Sequence, residues 1–170
     1  MKRRLGAFVL LVSPFALLFF IIKQPLAGRK EVELPWNSAK KYQLVYCGFP
    51  GCTTACPTRL RQLSDLSLTG NEDVELRFAS FSDHSLQEAQ AYAAAFDENI
   101  KAHVLEDKEA FLKQFQLKPR KLENGQYDHR DLLFMFEKSD GKWWLIQSFR
   151  DSPQDRQRLE EKLREMHLLP

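Results

Sequence analysis

Residues 44–57 read Leu44-Val45-Tyr46-Cys47-Gly48-Phe49-Pro50-Gly51-Cys52-Thr53-Thr54-Ala55-Cys56-Pro57. The run from Leu44 to Phe49 is nearly all apolar and does not alternate, which suits a strand buried on both faces inside a parallel sheet. Pro57 suits the first turn of a helix, where its missing N–H costs nothing, so a helix is expected from about Pro57 to Leu68, closed by Thr69-Gly70-Asn71. Cys52 and Cys56 therefore bring two sulfurs to a helix start. There the partial positive charge lowers a thiol pKa and raises the fraction of thiolate, the form that attacks and that binds metal. A purely structural disulfide is the weaker reading, because so local a loop removes little entropy from the unfolded chain.

Working outward, Val74 to Phe81 reads as a second strand. Ser85-Leu86-Gln87-Glu88 resembles a capping box opening a helix with Leu86, Ala89, Ala93 and Phe96 on one face. After a short apolar piece at His103-Val104-Leu105, Lys108 to Phe115 repeats the helical pattern with Phe111, Leu112 and Phe115. A polar, basic loop spans Lys118 to Arg130. Leu132 to Glu137 and Trp143 to Phe149 are then two strands around the hairpin signal Ser139-Asp140-Gly141-Lys142. Asp151-Ser152-Pro153 opens a last helix whose apolar side is Leu159, Leu163 and Met166. Two strands joined by a crossover helix, another helix, a hairpin and a closing helix is the order of a thioredoxin-like α/β fold, with a central mixed sheet flanked by helices.

The chain of 170 residues holds one core and little more, and its first 30 or so residues do not read as core. Met1-Lys2-Arg3-Arg4 is a basic start, and the uncharged stretch from Leu5 to Ile22 would be about 27 Å long as a helix, near the thickness of a bilayer's hydrocarbon. Residues 1–28 are expected to be a membrane anchor or signal segment, an uncleaved transmembrane helix being favoured because Pro25-Leu26-Ala27-Gly28 is an imperfect cleavage match. Residues 29–41 read as a polar linker, and residues 42–170 as the domain. The N-terminal basic cluster favours an N-inside orientation with the domain outside the cytoplasm. The absence of a long Arg-rich, Ser-rich presequence favours a bacterial inner membrane and periplasm over mitochondria.

The 25 basic and 23 acidic residues nearly cancel, and no basic stripe interleaves with aromatics, so nucleic acid is not an expected partner. Three cysteines are too few for a stapled secreted fold, and their odd number suits a working dithiol plus one spare. Cys47, mid-strand, reads as a small buried hydrophobe. A disulfide between Cys52 and Cys56 and a shared ion are both open on spacing alone, and a third ligand would decide between them. His129, in the long polar loop with Asp128 beside it, is the leading candidate. Two thiolates and one imidazole suit Cu(I) and tolerate Cu(II), whereas a structural zinc site usually needs a fourth protein ligand. His84, after the second strand, is the reserve ligand. His103 has no partner in sequence, His167 reads as a last-turn residue favourable to the helix dipole, and Met135 as core.

The segment from Tyr46 to Pro57 resembles the copper motif of the SCO/SenC family, membrane-anchored thioredoxin-like proteins that help assemble the copper site of cytochrome c oxidase. Asp128-His129, followed by Leu132-Leu133-Phe134 and Asp140-Gly141-Lys142, is similar to that family's histidine-strand-turn segment. The resemblance runs over most of residues 41–149. It implies that Cys52, Cys56 and His129 bind copper and that the partner is a copper-receiving oxidase subunit or another copper chaperone. This chain departs from the pattern at Thr53 and Thr54, where members commonly carry Pro and Asp, and at Phe81-Ser82-Asp83, where they carry Val-Asp-Pro. The hairpin before the first core strand is also shortened, to about Glu31 to Lys40. The rival reading is a thiol-disulfide oxidoreductase in which Cys52 attacks and Cys56 resolves, with no need of His129. A peroxide-reducing thiol and an inert tethered domain rank below it.

Overall fold

The computed structural model describes residues 29–66, 68, 71–115 and 133–169. The anchor expected over residues 1–28 lies outside the described residues, as does the loop carrying His129. Among the described residues no helix is long and apolar enough to cross a membrane.

The apolar run forms β2 (Tyr42–Gly48), every residue of which is buried. It lies inside a six-stranded sheet of order β1-β6-β5-β2-β3-β4, with β1 at Lys30–Val32, β3 at Val74–Ser80, β4 at Lys101–Val104, β5 at Leu133–Ser139 and β6 at Lys142–Phe149. Strands β2, β3 and β4 run parallel, and β5, β6 and β1 add antiparallel pairs, so the sheet is mixed. Parallel neighbours require crossovers. These are α1 (Ala55–Asp65) between β2 and β3, and α2 (Leu86–Ala94) between β3 and β4. Two further helices, α3 (Lys108–Lys113) and α4 (Pro153–Glu165), complete the thioredoxin-like fold expected from the element order.

Period-2 alternation divides the sheet's side chains between two cores. Leu44, Tyr46, Leu76, Phe78, Leu133 and Met135 face α1, α2 and α4, where Leu60, Leu63, Ala89, Ala93, Leu159 and Leu163 meet them. Val45, Cys47, Ala79, Phe134, Phe136 and Trp143 point the other way, against Phe111 and Leu112 of α3. In β6 the alternation is broken. Met135 pairs with Gln147 and Phe136 with Leu145, leaving Ile146 bulged. The extra residue reverses the facing of the strand beyond it, so Phe149 joins the first core while Trp143 stays in the second.

The helix ends follow their chemistry. Ser85 and Glu88 form the capping box of α2, each satisfying the other's backbone N–H. Ser152 caps α4, with Pro153 opening its first turn. At its other end His167 takes φ +57, and the N–H groups of His167 and Leu168 donate to Arg164 O (2.9 Å) and Leu163 O (2.9 Å), closing the helix with the paired bonds of a Schellman motif. His167 is thus a left-handed stop residue, two positions past the last helical residue Glu165 rather than inside the last turn. Asp140 (φ +53) and Gly141 (φ +75) form the two-residue hairpin turn between β5 and β6.

Three expectations need correction. Residues 29–41 are not a linker. Lys30–Val32 pairs with β6 as an edge strand, and Trp36 is buried, donating from Nε1 to Gln43 Oε1 at 2.8 Å. Gln43 donates in turn to Glu75 (3.2 Å), which also accepts from Arg77 (2.5 Å) and Lys101 (2.7 Å). The segment's polarity hid a strap whose one large aromatic seals a satisfied polar network. The apolar piece at residues 103–105 is the end of β4, the third parallel strand, with Leu105 just past it, and the strand is too short to show a period. Leu86 does not join Ala89 and Ala93 in the core; at the exposed start of α2 it is 56% exposed.

Candidate dithiol and metal site

The site is built at the C-terminal edge of β2. After Gly48 the chain turns through Phe49-Pro50-Gly51-Cys52, with Cys52 N–H donating to Phe49 O at 3.3 Å and Gly51 at φ +85. Proline second and a positive-φ glycine third is the pattern of a type II turn, which excludes a side chain at position 51 without strain. The helix α1 then starts at Ala55 with Thr54 as its N-cap residue, and the Thr54 side chain makes no capping bond. Instead, the Cys56 backbone N–H donates to Cys52 Sγ at 3.4 Å. One of the helix's orphan donors is therefore satisfied by a sulfur. Cys52 lies before the helix and Cys56 inside it, so the two are joined across a helix entrance rather than stacked one turn apart on a helix face.

Neither cysteine is in a disulfide, and both are buried, Cys52 at 7% exposure and Cys56 at 0%. The outer and inner positions differ in chemistry. Burial pushes the Cys56 thiol up to about 12, against hydrogen bonds from Tyr46 and the Phe49 backbone that favour the thiolate, while the neighbouring Cys52 adds to the rise. The expectation that the helix start lowers the thiol pKa therefore fails at Cys56, because desolvation outweighs the dipole. The Tyr46 hydroxyl donates to Cys56 Sγ at 3.5 Å, and its own pKa is raised by burial and then by Cys56. The Tyr92 hydroxyl donates to Cys52 O at 3.0 Å, tying α2 to the turn.

Gly48 completes the packing. A Cβ at this position would lie 2.6 Å from Cys56 Sγ, 3.1 Å from Phe78 and 3.2 Å from Tyr46. The glycine is the gap into which the inner sulfur fits. Tyr46, Gly48 and Tyr92 were not singled out from sequence. Period-2 counting back from Gly48 does put Tyr46 on the face that meets α1, but nothing local distinguishes it from any core aromatic.

The other sequence candidates separate clearly. Cys47 is buried on the opposite face of β2, among Val45, Ala79 and Phe134, which removes it as an exchange partner and makes it the spare, core thiol. Met135 is core. His103 sits edge-on to Trp36 at 5.0 Å between ring centroids, with its pKa lowered by burial and by Arg77. His84 follows β3, whose Ser80 pairs with Gly48, so it leaves the sheet at the dithiol edge, where it is exposed. Among the described residues no group of three or more His, Cys, Asp or Glu side chains is gathered as a metal site. His129 lies outside the described residues.

Solved structures with this architecture include an SCO1/SenC family lipoprotein from Bacillus anthracis, at 20% identity and TM-score 0.55 over 75% of this chain and 82% of that one. The fold is that of the SCO/SenC proteins. Apo Sco1 from Thermus thermophilus matches at 20% identity and TM-score 0.53 over 85% of this chain and 93% of that one. Arabidopsis thaliana ScoI, solved with copper bound, matches at 18% and 0.54 over 75% and 84%. No protein-family model and no curated protein matches the sequence. In this SCO/SenC fold β5 begins at Leu133 opposite Tyr46. The chain thus enters β5 at the same sheet edge as the dithiol.

Proposed function

We propose that this chain is a membrane-anchored copper chaperone of the SCO/SenC type, binding one copper ion through Cys52, Cys56 and His129 and passing it to a copper-receiving subunit of cytochrome c oxidase or to another chaperone. The observation that carries the reading is the pair of reduced sulfurs, joined by the Cys56 N–H···Sγ contact, at the edge where β5 begins. His129 precedes Leu133 by four residues, a tether of at most about 14 Å, which is compatible with an imidazole reaching the dithiol. The donor set fits a soft monovalent ion better than zinc, since three ligands leave a tetrahedral structural site incomplete. The basic start and uncharged stretch of residues 1–28 support an anchor, with the domain in a bacterial periplasm.

Copper is cargo here, and this chain's residues handle it. Cys56 is protonated across the physiological range, so loading must displace its proton, and the Tyr46 hydroxyl steadies the sulfur that results. Release proceeds by ligand exchange, the partner's donor replacing the imidazole before the two sulfurs. Exchange with a partner disulfide, which is reduced to its dithiol as Cys52 and Cys56 are oxidised to a disulfide, would remove both sulfur ligands and so couples retention to redox state.

A second reading, thiol-disulfide exchange, is favoured by the asymmetry of the pair. Cys52, the outer sulfur, would attack a partner disulfide. Cys56 would then attack Cys52 Sγ in the mixed disulfide, releasing the partner's dithiol and leaving the two cysteines oxidised. Titrating the Cu(I)-loaded full chain with a chromophoric Cu(I) chelator separates the two. His129→Ala should give up copper at lower chelator concentration while retaining normal exchange with a disulfide substrate. Equal retention by wild type and His129→Ala, with intact exchange, would leave the oxidoreductase reading.

A further inference from the structure

Arg59 is three residues beyond Cys56 in α1 and is buried at 2% exposure. Its Nη1 donates to Gln62 Oε1 at 2.9 Å, but among the described residues Nε and Nη2 have no hydrogen-bond partner. These two atoms form one edge of the guanidinium, the edge whose parallel N–H groups match the two oxygens of a carboxylate. The Asp151 carboxylate faces it, with Oδ1 at 3.8 Å from Nη2. That separation supplies charge but is too long for a hydrogen bond. Asp151 follows Phe149, which pairs with Leu133 opposite Tyr46, so the guanidinium meets the turn after β6 at the dithiol edge of the sheet. A buried cation with an unsatisfied edge costs stability unless something uses it.

We infer that the Nε/Nη2 edge of Arg59 is a carboxylate-binding subsite beside the dithiol, guarded by Asp151, which an incoming carboxylate displaces from its place as counter-charge. Carboxylate is favoured over larger oxyanions because the edge is buried and its spacing is that of a two-oxygen fork. The group is either a free small acid or the side chain of a docking protein's acidic residue. The subsite stands on Arg59 and Asp151 alone and does not depend on copper.

The test is a titration of the selectively 15N-arginine-labelled full chain, in detergent, following the Arg59 Nε–H resonance assigned by its loss in Arg59→Gln. Acetate probes the free acid, and a short peptide with one glutamate probes the protein-borne one, each against chloride at matched ionic strength. A saturable shift with acetate alone identifies a small-acid site, and tighter binding of the peptide identifies a docking contact. In either case Asp151→Asn, which removes the competitor, should tighten binding by about fivefold or more, the upper reach of a surface ion pair, since the Arg59 side of this one is buried. No saturable shift in wild type or Asp151→Asn, or the same shift with chloride, overturns the proposal and leaves Arg59 a structural residue. Should Arg59→Gln fail to fold, Arg59→Lys, which keeps the charge but removes the Nε–H, supplies the assignment and the Asp151→Asn titration then decides.

Discussion

The Tyr46 hydroxyl and the Cys56 sulfur lie 3.5 Å apart in a contact from which water is excluded, the ring on a strand and the thiol on the first turn of the crossover helix. The bond lowers the cost of ionising a sulfur that burial holds in its neutral form. Replacing Tyr46 by Phe should raise the Cys56 pKa further and cost about 0.5–1.5 kcal/mol of stability, the net worth of one hydrogen bond. Thiolate absorbance against pH reads the first effect and urea unfolding the second. An unchanged thiol titration would show that the hydroxyl does not act on the sulfur.

Gly48→Ala tests the gap opposite the inner sulfur. The added methyl would stand 2.6 Å from Cys56 Sγ, so the sulfur or the helix entrance must move. Overpacking of this kind costs about 1–3 kcal/mol. A thermal melt measures the loss, and copper retention should fall with it. A variant as stable as wild type would mean that α1 is held less firmly against β2 than the packing implies.

The raised Cys56 pKa makes stability depend on alkaline pH. The fold favours the neutral thiol, so the contribution is whole below the ordinary value of 9.0 and is lost as pH climbs from there toward about 12, because the unfolded chain gives up its proton first. The slope of this loss is about 1.4 kcal/mol per pH unit for one thiol. Cys56→Ser should flatten the alkaline limb of the urea midpoint without abolishing it, since burial raises Cys47 as well. The same proton makes Cu(I) affinity rise by at least about tenfold per pH unit below that range. An affinity flat with pH would contradict the protonated inner thiol.

Trp36 tests the strap before β2. It is buried against Phe111 and His103 and bonds Gln43, so Trp36→Ala should cost about 3–5 kcal/mol, and a chain begun at Tyr42 should be less stable than one begun at Arg29. Equal denaturant midpoints for those two chains would restore the linker reading of residues 29–41.

Period and capping chemistry made the parallel core legible. The apolar run of β2, the Ser85–Glu88 box, the Asp140-Gly141 turn and the Ser152-Pro153 helix start all stand as their residues indicate. Features held by long-range pairing were not legible. Residues 30–32 become a strand only because β6 offers an edge, β4 is too short to show a period, and the bulge at Ile146 leaves no mark in a run of apolar residues. At the site, the cysteine spacing marked the pair, but the balance between burial and helix dipole at Cys56 depends on how deeply Gly48 lets the sulfur sit. Local sequence does not carry that depth.

The most direct test of the copper account is the X-ray absorption spectrum of the Cu(I)-loaded full chain, wild type against His129→Ala. The account predicts two sulfur scatterers and one nitrogen in wild type, and two sulfurs without the nitrogen in the variant. Identical spectra from the two proteins would contradict a centre built from Cys52, Cys56 and His129.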